Sequence, residues 1–208
     1  PDARLQNNTL DELDKVSDKI NNFAILAPTL MRSDLIEGFG LTKNYGSYKE
    51  TLTTTSEFFE VDYIQGCALL LDKSELKDIG FFDENFFMYY ETMDFCTRAR
   101  RANKKIYVSD KIKFTHYGGQ STDLKKFSYE YSLSRSWHYC WSKFHYFKKH
   151  FGYFYALRKI FPNFLRSMKR MIICKLYRKD KEFSIYKNEF LGIVNSILNK
   201  SSNYRPFE

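Results

Sequence analysis

The chain has no apolar run approaching the ~20 residues that a bilayer-spanning helix needs. No signal-peptide pattern opens it either, so it reads as soluble or peripheral rather than integral. Its four cysteines, Cys67, Cys96, Cys140 and Cys174, fall in no CxxC or other metal-ligand spacing. That excludes a cysteine-built metal site and favours free thiols in a reducing compartment. Internal repeats, low-complexity tracts and long linkers are also missing. Tryptophan is scarce, at 2 residues against 16 tyrosines and 20 phenylalanines.

What is present is enough for a proper core. At 208 residues and 43% hydrophobic, the chain has the length of one or two domains. Its net charge of +8 points to an acidic partner: nucleic acid, an anionic membrane or a phosphorylated substrate. The charge is uneven. Residues 1–123 mix both signs, whereas between Trp141 and Lys181 nearly every charge is positive. A boundary is therefore expected near residues 122–128, with domains at 1–125 and 126–208.

Periodicity supplies the elements. Leu10, Leu13, Val16 and Ile20 predict an amphipathic helix over Thr9 to Asn21, capped by Asn8 or Thr9. A short strand over Phe23 to Ala27 should stop at Pro28, and residues 33–50 read as a polar surface loop. Residues 57–71 are rich in β-formers. Asp72 and Glu75 make a capping-box pattern for a short helix that Gly80 ends. A helix is predicted from Tyr90 to Ala102, ending at Asn103, then strands over Lys105 to Val108 and Ile112 to His116. The tail from Tyr129 reads as helical with a break near Pro162. The fold class is α/β with a helical appendage.

Two clusters carry chemistry. Glu91 and Asp94 stand three residues apart on one helix face. A carboxylate there could act as a general base, or the acids could serve the helix dipole, with Asp94 pairing Arg98 at i+4. Asp83 and Glu84 sit in a turn. His116 ends a strand before Gly118, Gly119 and Ser121; a lone histidine at a strand end is more often structural than ligating, and the glycines, which allow close ligand approach, shift that balance toward a ligand. The basic aromatic tail suits an interfacial helix on anionic lipid or a packed helix pair with a solvated face. It has no nucleic-acid-binding motif, so no nucleic-acid partner is expected.

The order of these residues resembles the second half of the catalytic domain of family-2 glycosyltransferases, the bacterial rhamnosyltransferase-like branch above all. That family carries a strand and glycine like Tyr63 to Ala68, then G-F-D-E-x-F-F-x-Y-x-E-D-x-D-x-C-x-R, then H-x-G-G-x-S. This chain gives Gly80, Phe82, Asp83, Glu84, Phe86, Phe87, Tyr89, Glu91, Asp94, Cys96 and Arg98 in register, then His116, Gly118, Gly119 and Ser121. Pro1-Asp2 looks like the end of the family's N-P-D metal motif. The resemblance implies the C-terminal half of a GT-A (Rossmann-like) glycosyltransferase domain, with a nucleotide-binding half expected before residue 1 and the fragment alone expected to be inactive.

The implied reaction is an inverting transfer of a hexose-type sugar from a nucleoside-diphosphate donor, such as dTDP-rhamnose, to a cell-surface polysaccharide or lipid-linked glycan. Glu91 and then Asp94 are the expected bases. Asp2 and His116 are expected to hold Mg²⁺ or Mn²⁺, while Gly66, Asp83, Glu84, Gly118, Gly119 and Ser121 contact substrate. The expected location is the inner face of a bacterial cell membrane, bound peripherally from the cytoplasm. One residue departs from the family: Thr92 stands where the resemblance expects the Asp of a Glu-Asp pair. A degenerate, non-catalytic module that binds membrane or protein is the alternative.

Overall fold

The computed structural model describes residues 3–20, 22–31, 57–116 and 124–206. The chain divides into two compact units, Pro1–Phe82 with Thr92–Ser121, and Asp83–Glu91 with Thr122–Glu208. The first is mixed α/β. Its elements are β1 (Ala3–Leu5), α1 (Thr9–Ser17), β2 (Ile25–Met31), β3 (Phe58–Glu60), β4 (Leu70–Leu71), α2 (Glu91–Arg101) and β5 (Ile106–His116). The sheet runs β1-β5-β2-β4, and β3 also pairs with β5. Among the described strands only β2 and β5 are parallel; the other pairings are antiparallel.

Strand alternation sorts the core into two layers. On β2, Ile25 and Ala27 pack with Phe95, Cys96 and Ala99 of α2. Leu26 points the other way, to Leu13 and Val16 of α1. The central strand is thus apolar on both faces, as a helix-covered parallel pair requires.

Several expected boundaries move. β2 continues through Pro28 to Met31, and the ladder shifts register between Pro28 and Thr29. A proline lacks the N–H of a regular ladder and is tolerated at such an irregularity. The two strands expected over 105–116 are one long β5, which takes β3 and β1 at different points along its length. The short helix after Asp72 is a run of turns. Asp72 Oδ1 accepts from the Ser74 N–H and hydroxyl, and Glu75 pairs with Lys104 at 2.9 Å instead of reaching back to cap. α1 stops at Ser17, and Asn8 stands at its N-cap as expected, without a side-chain cap hydrogen bond. The loop expected over 33–50 lies outside the described residues.

The second unit is helical: α3 (Leu124–Phe151), α4 (Tyr153–Leu176) and α5 (Asp180–Ile197). Cys140, Phe144, Ala156, Ile160 and Ile193 form its core. The expected break at Pro162 falls instead at Gly152, whose φ of 89° lies in the region glycine enters freely. Pro162 sits inside α4 on an exposed position, where water can satisfy the carbonyl its missing N–H leaves unpaired. The chain after α5 folds back on α3. Trp141 Nε1 donates to the Lys200 carbonyl at 2.9 Å, and buried His138 lies 3.1 Å from Ser202 Oγ and 2.9 Å from the Tyr204 carbonyl. Among the described residues no helix is long and apolar enough to cross a membrane.

Candidate functional site

The loop 83–91 brings its aromatics onto α3. Asp83 Oδ1 accepts from the backbone and side-chain N–H groups of Asn85, and its other oxygen meets Lys149 at 2.7 Å. Burial pushes the Asp83 carboxyl up, but Lys149 and the Asn85 donors outweigh it and hold the group below the usual range. Phe86 is buried 5.0 Å from the His145 ring, and the Arg205 guanidinium stacks 3.4 Å over Phe87. Glu84 is exposed.

Immediately before α2 the backbone is strained. Tyr89 and Tyr90 both have φ of 65°, a left-handed conformation that costs roughly 1–2 kcal/mol for each non-glycine residue. Ring packing holds it: Tyr90 lies 5.4 Å from Tyr146 and 5.8 Å from Tyr139, and Tyr89 Oη accepts the Arg135 Nε–H at 2.6 Å. Such strain concentrates at functional sites, and it falls immediately before the half-buried Glu91. Sequence reading matched Tyr89 to the family block but gave neither tyrosine a role. Their aromatic character was visible, but a positive φ in a non-glycine pair leaves no compositional trace.

One turn on, Asp94 has a different setting. It is fully buried and its Oδ2 accepts from Arg98 Nε at 2.8 Å. The Arg98 guanidinium also donates to the carbonyls of Ile79 and Phe81. Asp94 and Arg98 thereby tie α2 to the turn at Gly80, which itself adopts φ of 66°. Cys96, between them, is in the core, and burial pushes its thiol up to about 12. Thr92 is buried against Gly66 so closely that a Cβ on that glycine would overlap the threonine hydroxyl. Gly66 is thus accounted for by close packing on α2.

On the metal side, β1 and β5 pair antiparallel with Ala3 opposite His116. Asp2, Gly118, Gly119, Ser121 and the His116 side chain lie outside the described residues. Among the described residues no three His, Cys, Asp or Glu side chains converge on a metal position.

No family model matches the chain, and no solved structure does. Over 141 residues it is 27% identical to the low-salt glycan biosynthesis hexosyltransferase Agl10 of Haloferax volcanii, a match covering 64% of this chain and 45% of that protein. The chain therefore spans less than half of that relative's length. The likeness is to a hexosyltransferase, and the mixed α/β fold with its mixed sheet is compatible with one.

Proposed function

We propose that this chain forms part of an inverting, GT-A-type glycosyltransferase of family 2 that moves a sugar from a nucleoside-diphosphate donor to a glycan acceptor. The observation that carries the reading is the likeness to a hexosyltransferase across 141 residues. Glu91 is the base. It opens α2 at the end of a strained, packed loop, whereas Asp94 is committed to Arg98 and holds the helix in place. Glu91 takes the proton from an acceptor hydroxyl, whose oxygen attacks the anomeric carbon opposite the diphosphate. The bond to the diphosphate breaks and the configuration inverts. Asp2 and His116 would hold a Mg²⁺ or Mn²⁺ ion, which when bound neutralises the diphosphate charge. Gly118, Gly119 and Ser121 follow His116 as donor-side contacts, with Gly66, Asp83 and Glu84 as supporting positions.

In this reading the helical unit rests on the inner face of an anionic membrane, where a lipid-linked acceptor is presented. On α4, Phe154, Phe161, Leu165, Met168, Ile172 and Leu176 recur at helical spacing and are all exposed. Arg158, Lys169, Arg170 and Lys175 flank them, and no Asp or Glu occurs between Glu130 and Asp180. An exposed apolar stripe inside a purely basic segment is complementary to anionic lipid.

A donor panel run on the full-length gene product tests the transfer, with release of nucleoside diphosphate as the readout. A second reading, a degenerate binding module, is favoured by one observation: Thr92 fills a buried packing position where the resemblance expects the catalytic Asp. Membrane binding without turnover of any donor would select it.

A further inference from the structure

The helical unit carries a cleft of about 530 Å³ that none of the proposed transfer chemistry uses. One face of α3 supplies Ser132, Arg135, Ser136 and Tyr139, spaced as i, i+3, i+4 and i+7, and Tyr89 joins them. Arg166 of α4 and Glu189 of α5 complete the lining.

The charges in this cleft are unequal. Arg166 and Glu189 pair at 3.1 Å, so each answers the other. Arg135 has no acid. Its Nε–H goes to Tyr89 Oη, and its carbon lies 5.5 Å from the centre of the Tyr131 ring. Those two contacts orient the guanidinium and leave its terminal N–H groups without a protein partner among the described residues. Ser132 and Ser136 donate to carbonyls one turn earlier, at 2.7 Å each. Either hydroxyl can swing its proton to a ligand instead. Nearby, burial lowers the Lys143 ammonium, and the neighbouring Arg166 and Lys159 cations add to that. An oriented guanidinium fork beside two hydroxyls, in positive surroundings, is a phosphate receptor.

The cleft also has a particular neighbour. Arg166 directly follows Leu165 of the exposed apolar stripe on α4. We propose that this cleft binds the phosphate group of a membrane-anchored molecule, its oxyanion on the Arg135 fork and its hydrocarbon along the α4 stripe. The inference rests on the membrane reading of α4 and names the chemistry that the membrane presents to this unit.

The test is co-sedimentation of the full chain with phosphatidylcholine vesicles carrying either dodecyl phosphate or phosphatidylglycerol, matched in surface charge. Preference for the phosphate monoester is expected. Arg135→Gln should weaken binding to dodecyl phosphate vesicles about tenfold and leave phosphatidylglycerol binding unchanged. Arg135→Lys, which keeps the charge but loses the fork, should lose most of the preference with helix content intact. Competition by inorganic phosphate would assign recognition to the phosphate alone, and preference that survives it would assign recognition to the anchored headgroup. Equal binding of both vesicles, or a preference retained in Arg135→Gln, overturns the cleft assignment. Failure of the wild-type chain to bind either vesicle overturns the membrane reading itself.

Discussion

Replacing Asp94 by Ala would strand the Arg98 guanidinium among the carbonyls of Ile79 and Phe81 without its carboxylate. Breaking a buried pair in this way costs about 3–5 kcal/mol, so a clear fall in Tm is expected in chemical or thermal denaturation. Glu91→Gln should behave oppositely, with stability within about 1 kcal/mol of wild type and turnover reduced roughly 10²–10⁴-fold, the usual worth of a general base. Asp94→Asn that kept its stability and lost only turnover would reverse the two roles. At this scale the residue order spoke clearly: an Asp and an Arg four apart on a helix predict the pair that forms. Why one acid of the motif is structural was not readable, because burial and the carbonyls of a distant turn decide it.

Close packing of elements makes a second set of expectations. A Cβ on Gly192 of α5 would overlap the Trp137 carbonyl of α3, and one on Gly66 would overlap Thr92 of α2. Each Gly→Ala change should destabilise its unit by about 1–3 kcal/mol, the ordinary cost of overpacking. Gly192 should be the worse, since a backbone carbonyl yields less readily than a side chain. On α4, Leu165→Glu with Ile172→Glu should cut affinity for anionic vesicles roughly a hundredfold without loss of helicity, because both side chains are exposed. Unchanged vesicle binding would remove α4 from the membrane. The amphipathic helices and the apolar strands were legible from periodicity. Pro28 and Pro162 were not read correctly, because a proline ends an element only where the lost hydrogen bond has no substitute. A ladder shift at Pro28 and exposure at Pro162 supply one.

For the whole molecule, pH offers a handle on how the C-terminal segment is held. Burial pushes the His138 imidazole below its ordinary value, with Arg205 adding to the effect and the Tyr204 carbonyl opposing it. The neutral ring satisfies both contacts, Nε2–H donating to Tyr204 and Nδ1 accepting from Ser202. A base whose folded value is lowered contributes stability that is complete above about 6.5 and is lost as pH falls toward the folded value. Stability should therefore decline on acidification from neutrality, well before the window in which Asp83 protonates. His138→Gln, which cannot titrate, should flatten that early decline in Tm measured against pH. The charge turns basic from Lys125, and the helical unit takes up the chain at Thr122. The assignment of residues 83–91 to the helical unit left no trace in the charge, since it depends on aromatic contacts with α3 far along the chain. The central claim is sugar transfer with Glu91 as base, and one measurement addresses it directly: nucleoside-diphosphate release by the full-length protein over a nucleotide-sugar panel, wild type beside Glu91→Gln. Turnover of one donor by wild type, lost in the variant while donor affinity is kept, is the predicted result. Turnover undiminished in Glu91→Gln would contradict it.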